Sequence, residues 1–252
     1  MIAEAGQVAG KRILVTGASS GIGAATAELL AAEGAVVGVH YHSKQTDARN
    51  LIEKIRMAGG TAEGFEADLL SREHRARLVP EAVERLGGLD GLVNNAGAVI
   101  GAVSFLELDE EAWAKTFVLN AESPFFLAQA AFRHMQKIGG GKIINISSVG
   151  VKFGGSATTL HYSSAKMALE GISAGLAKAG APSNILVNAI RPGVIDTPFH
   201  REKSGQDWDA RVSLIPLRRP GLPLDIARMI LFLLSPAGDF ITGQILSVSG
   251  GE

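Results

Sequence analysis

The chain contains no cysteine. That removes disulfide frameworks and thiolate metal sites together, and it fits a cytoplasmic location. Charge of either sign is not in excess: 24 basic side chains face 25 acidic ones, with no long basic run. The electrostatic footprint of a nucleic-acid binder is therefore missing, and no nucleic-acid partner is expected. Long apolar runs are absent too. Residues 229–234 form one of the longest, far short of the roughly 20 needed to cross a bilayer, so no membrane is expected. Residues 1–10 lack the basic start and apolar centre of a secretory signal. There is no Pro/Ser-rich linker, and no internal repeat marks a solenoid or array.

What is present is a chain of 252 residues, 46% hydrophobic, with material for one large core. Its 31 glycines are scattered at element ends, which suggests tight turns and close backbone approaches. Short β-rich runs at 11–16, 35–41, 61–67, 89–94, 141–147, 185–190 and 244–248 alternate with helical stretches at 22–33, 46–58, 72–86, 110–137, 160–179 and 224–234. Several strand runs are continuously apolar, the pattern of strands covered on both faces. Ser71 and Asp109 precede helix starts, and Gly34 and Gly59 follow helix ends. This alternation predicts one α/β domain over 1–252, a mostly parallel sheet of about seven strands flanked by helices. One stretch breaks the rhythm: 196–223 is long, polar and punctuated by prolines, as a substrate lid or a flexible segment would be.

The first strand runs into Thr16-Gly17-Ala18-Ser19-Ser20-Gly21-Ile22-Gly23 and then a helix. A strand, a glycine turn and a helix N-terminus aim backbone N–H groups and the positive helix end at an anion. By itself the turn is also compatible with a purely structural role. In sheets of this kind a carboxylate about 20 residues further on, at the end of the second strand, holds the ribose 2′-hydroxyl of NAD. Here that strand ends His40-Tyr41-His42-Ser43-Lys44 without an acid. Histidine, serine and lysine can donate to a 2′-phosphate, which favours NADP(H) over NAD(H). The bland alternative is that His40 and His42 end a strand and Lys44 faces solvent. Two histidines at this spacing without a third ligand make a poor metal site, and none is expected.

Tyr162-Ser163-Ser164-Ala165-Lys166 puts a phenol and an ammonium on one helix face. An ordinary tyrosine ionises near pH 10. A fixed cation close by would favour the phenolate and fit the side chain for proton transfer. An exposed amphipathic helix would explain the pair equally well.

The glycine string resembles the T-G-x-x-x-G-x-G segment of the short-chain dehydrogenase/reductase family, and further motifs follow in the expected order. Tyr162 and Lys166 are similar to its Tyr-x-x-x-Lys pair. Ser148, the second of Ser147-Ser148, aligns with its substrate-orienting serine, with Ser147 as fallback, and Asn120 completes a tetrad. Asn94-Asn95-Ala96-Gly97 resembles its N-N-A-G motif, and 188–193 its N-x-x-x-P-G segment. The pattern looks like the 3-oxoacyl-carrier-protein reductase branch, and like many sugar, steroid and xenobiotic ketone reductases.

The resemblance covers nearly the whole chain and implies a Rossmann-type doubly wound fold. It implies hydride transfer between NADP(H) and a carbonyl or secondary alcohol, with Tyr162 as general acid/base. It also implies cofactor contacts from Gly17, Ser19, Ser20, Gly21, Ile22, Gly23, His40, His42, Ser43, Asp68, Leu69, Asn94, Ala96 and Gly97. Tyr162, Lys166, Pro192, Gly193, Ile195 and Thr197 complete that set. The substrate pocket is expected from Val151, Lys152, Phe153, Gly154, His161 and the 196–223 lid, including Phe199, His200, Arg201 and Trp208. The partner is a small molecule, and a homotetramer is implied, with Trp113, Phe117, Leu169 and Leu176 serving core or interface. Ser247-Val248-Ser249-Gly250-Gly251 departs from the usual Asp before the glycine pair, a matter of end packing. A non-catalytic NADP(H)-binding sensor or scaffold on the same fold is the alternative.

Overall fold

A computed structural model describes residues 6–198 and 208–252. Its strands are β1 (Arg12–Val15), β2 (Val36–Tyr41), β3 (Thr61–Glu66), β4 (Gly91–Asn94), β5 (Gly141–Ile146), β6 (Ile185–Pro192) and β7 (Ile245–Val248). They form one parallel sheet in the order β3-β2-β1-β4-β5-β6-β7. The chain winds outward from β1 to β3, then crosses back to lay β4 on the other side of β1. The carboxyl ends of β1 and β4 therefore flank the topological switch point, where open sheets of this kind hold their ligands.

Helices cover both faces. One buried cluster packs Ile13, Val15, Val37 and Val39 against α1 (Gly21–Ala32), α2 (Gln45–Met57) and the late helix Pro223–Leu234. The other packs Leu14, Leu92, Ile143 and Val187 against α3 (Arg72–Leu86), α5 (Ser123–Ile138) and α6 (Leu160–Gly180). Ser71 caps α3 by accepting from the His74 N–H at 3.3 Å, and Asp109 caps α4 (Glu110–Phe117) by accepting from Ala112 at 2.7 Å.

The stretch 110–137, read from sequence as one helix, is two. Between α4 and α5 lies a π-helical turn, Val118–Glu122. Pro124 has no N–H and its ring crowds the carbonyl four residues back, so the regular ladder cannot pass. Ser123 Oγ lies 2.7 Å from the carbonyl oxygens of both Val118 and Leu69 and steadies the wider turn.

The 196–223 segment is described at its ends and along α7 (Trp208–Ser213). Its two ends are pinched together: Asp196 N–H donates to Gly221 O at 2.8 Å, and Gly221 N–H to Val194 O at 2.9 Å. Helix Pro223–Leu234, α8, follows. Among the described residues no helix is long and apolar enough to cross a membrane.

Candidate active site

A cleft of about 1140 Å³ opens at the carboxyl ends of the strands, centred on the switch point. Its floor on one side is the turn after β1. Gly17 adopts φ +60°, and a Cβ there would lie 2.9 Å from the Ala96 backbone. Gly23, at the start of α1, would place a Cβ 2.3 Å from Gly17 O. These two positions admit only glycine, because the turn after β1 is folded hard against the turn after β4. Asn95 Nδ2 donates to Thr16 O (2.8 Å) and Gly17 O (3.1 Å), and Thr16 Oγ1 accepts from the N–H groups of Asn95 and Ala96. The cradle of Ser19, Ser20, Gly21 and Ile22 at the α1 N-terminus stays open to the cleft.

Several expected cofactor contacts change character. Gly23 does not line the cleft; it permits the helix to approach the turn. Asn94 is buried in the sheet, donating to Asn145 Oδ1 at 2.9 Å and Pro124 O at 3.2 Å, while its neighbour Asn95 faces the cleft. Asn95 was legible in the motif itself, one place along. His40 lies at the cleft edge, but its ring is committed: Nδ1 accepts from the Gly17 N–H at 2.9 Å and Nε2 donates to Ala67 O at 3.0 Å. Burial pulls its pKa down to about 4, so it is neutral and not a cationic donor for a phosphate. The groups free to face an anion there are His42, Ser43 and Lys44, the last at the N-cap of α2. Asp68 and Leu69 line the cleft, with Asp68 Oδ1 accepting from the Leu70 N–H. Pro192, Gly193, Ile195 and Thr197 line it from the end of β6.

The tetrad candidates converge on the opposite wall. Ser148 follows β5 and hydrogen-bonds the Tyr162 hydroxyl; its Oγ also accepts from the Gly150 N–H at 3.1 Å. The fallback, Ser147, also borders the cleft, but it is buried and its Oγ donates to Glu170 at 2.6 Å. Tyr162 is partly open to the cleft, yet burial pushes its pKa up to about 12, against the Ser148 hydrogen bond that lowers it. The expected pull of the lysine toward phenolate has no part in this shift, which burial and Ser148 set between them. Lys166 Nζ lies 5.7 Å from the Tyr162 ring centre, is turned toward Ile146 O at 2.7 Å, and is itself brought down to about 7 by burial.

Asn120 sits in the π-helical turn, its Nδ2 donating to Ala98 O (2.8 Å) and Thr116 O (2.9 Å). Its Oδ1 is buried without a partner. A Cβ at Gly97 would lie 2.7 Å from that oxygen and 3.0 Å from Lys166 Nζ, so the amide and the ammonium converge beside Gly97.

At the far end, Phe153, Ser156, Thr158, Trp208 and Arg211 line the cleft. Val151 is buried and Gly154 does not reach it. Lys152 donates instead to Glu252 O at 2.6 Å, and buried His161 donates to Ile100 O at 2.8 Å. These four are supports rather than walls. Phe199, His200 and Arg201 lie outside the described residues. Among the described residues no group of three or more His, Cys, Asp or Glu gathers as a metal site.

Fold and cleft together define an α/β nucleotide-binding protein whose serine, tyrosine and lysine side chains face a glycine cradle across one cleft. Residues 17–252 match the family model described as Enoyl-(Acyl carrier protein) reductase. The chain is 40% identical to an uncharacterized oxidoreductase of Methylorubrum extorquens over 96% of its length and 97% of that protein. It is 38% identical to a 3-oxoacyl-[acyl-carrier-protein] reductase of Aquifex aeolicus, with 96% and 97% covered. A blue fluorescent protein from a metagenomic library, solved in complex with NADPH, superposes with a TM-score of 0.91 at 35% identity, over 97% of this chain and 98% of that one. The chain belongs to the short-chain dehydrogenase/reductase family and is an oxidoreductase.

Proposed function

We propose that this protein transfers a hydride between NADP(H) and a ketone, aldehyde or secondary alcohol, with Tyr162 as general acid/base. The observation that carries this reading is the hydrogen-bonded Ser148–Tyr162 pair beside buried Lys166, facing the glycine cradle across one cleft. The cradle fits a dinucleotide, since the uncapped α1 N-terminus, with Ser19, Ser20, Gly21 and Ile22, faces the open space of the cleft. The nicotinamide, when bound, supplies or accepts the hydride.

The chain's own residues do the rest. Ser148 donates a hydrogen bond to the substrate oxygen and stabilises charge developing there. Tyr162, protonated at neutral pH, gives its proton to that oxygen in reduction, or recovers it in oxidation. Lys166, poised near pH 7, takes up and returns protons at Nζ. The unpartnered Asn120 Oδ1 accepts from a water that connects Lys166 to solvent.

The preference for NADP(H) rests on the absence of an acid after β2 and on His42, Ser43 and Lys44 at the α2 N-terminus. Substrate is enclosed by Phe153, Trp208 and Arg211, with 196–223 as the lid. Exposed Phe105, Leu106, Trp113, Phe126 and Met167 suit a homotetramer.

The test is a titration with NADPH and NADH side by side, followed by nicotinamide fluorescence. NADPH is expected to bind about tenfold tighter or more, a difference of roughly 1.4 kcal/mol. Lys44→Ala and His42→Ala should close that gap. Equal or better NADH binding overturns the cofactor choice, and binding of neither overturns the hydride-transfer reading.

A further inference from the structure

Glu170 is a carboxylate buried in α6, one helical turn beyond Lys166. Glutamate is almost never fully buried unless paired. Here Oε1 accepts from Ser147 Oγ at 2.6 Å and from Arg191 Nε at 2.7 Å, and Oε2 accepts from Arg191 Nη2 at 2.6 Å. Each partner precedes a residue of the proposed site. Ser147 adjoins Ser148 at the end of β5, and Arg191 adjoins Pro192 and Gly193 at the end of β6. Lys166, on the same helix face, grips Ile146 O. Helix α6 is thus fastened to two successive residues of the β5 end and to the β6 end beside it.

We propose that Glu170 is a positioning residue, whose carboxylate holds Ser148, the Tyr162–Lys166 helix and the Pro192–Gly193 turn in one register. The inference rests on the hydride-transfer reading above. A buried ion pair is a poor source of stability compared with an apolar filling. What the bidentate guanidinium–carboxylate fork supplies is fixed orientation. The fork ties α6 to both strand ends at once, and a misplacement of about 1 Å at such a site can cost about a hundredfold in rate.

The test compares Glu170→Gln and the milder Ser147→Ala with the wild type, using ethyl acetoacetate and NADPH as probes. Glutamine turns an amide N–H₂ toward the guanidinium, so the fork is lost. We expect kcat to fall about tenfold or more in Glu170→Gln and about threefold in Ser147→Ala, with KM and the NADPH Kd changed less than about twofold. A second readout needs no turnover. The chain has two tyrosines, Tyr41 and Tyr162, so 3-fluorotyrosine labelling gives two ¹⁹F resonances, with Tyr162 identified by its loss in Tyr162→Phe. Both variants should shift the Tyr162 resonance and leave that of Tyr41 in place.

A kcat within twofold of wild type in both variants, with only the melting temperature lowered, overturns the proposal. So does an unmoved Tyr162 resonance in either folded variant. If Glu170→Gln fails to fold, Ser147→Ala decides. If the wild type reduces no carbonyl, the hydride-transfer reading falls, and the resonances alone judge the clamp.

Discussion

His40, the last residue but one of β2, has both ring nitrogens engaged, one by the Gly17 N–H and the other by Ala67 O. A residue expected to greet a phosphate is instead a strut beneath the glycine turn. Its pKa lies near 4 in the folded protein, against an ordinary value of 6.5. Below pH 6.5 the unfolded chain takes up a proton that the native ring refuses until about pH 4. Native stability should therefore fall across that window by up to about 3 kcal/mol, with no contribution to the slope above it. Urea unfolding at pH 7.5 and pH 5 checks this. His40→Leu should flatten that part of the slope and cost about 1–3 kcal/mol at pH 7.5, by stranding a buried donor and an acceptor. At Tyr162, replacement by phenylalanine removes the proton donor without disturbing the cradle. Carbonyl reduction should drop about 10²–10⁴-fold while NADPH affinity holds. Turnover within tenfold of wild type would rule out the acid role.

Single elements show where periodicity stops being informative. The spacing of three and four residues in 110–137 continues through the π-helical turn, with Thr116, Asn120, Pro124, Leu127, Ala131 and Met135 all buried, so periodicity gives no sign of the break. Pro124 was the local signal of the break, and Asn120, a mediocre helix-interior residue, sits where the turn widens and bares its amide toward Gly97. The start of α1 makes the opposite point. Its glycine spacing is visible in the sequence, yet only packing separates a glycine that meets a ligand from one that meets the protein. Gly23→Ala would drive a methyl into Gly17 O and Asn95 Nδ2. The expected cost is about 1–3 kcal/mol or more from overpacking, with NADPH binding weakened as the turn is pushed aside. Chemical denaturation with a parallel NADPH titration measures both, and unchanged values would mean α1 can shift without consequence.

For the whole molecule, the chain has two tryptophans: Trp113, stacked on Phe117 at 5.0 Å on the outer surface, and Trp208, which lines the cleft. If 196–223 closes on substrate, NADPH with a reducible ketone should change tryptophan emission, and Trp208→Phe should abolish the change. Sedimentation should give about four times the 26.3 kDa chain mass, and Trp113→Glu should lower it. Leu169 is core, and its burial takes it out of any interface. The sequence alone determined the α/β class, the strand order of appearance, the glycine cradle and the family, because those signals are carried by contiguous residues and local periodicity. Only the tertiary structure gave neighbours their separate partners: Ser147 is tied to Glu170 beside the Ser148 that the sequence already favoured, Asn94 is buried in the sheet beside Asn95, and His40 is tied to Gly17 and Ala67 beside His42 to Lys44. The physical reason is the pleat. Successive side chains at a strand end point to opposite faces, so neighbours within one motif meet different partners, and no spacing within the motif reveals which.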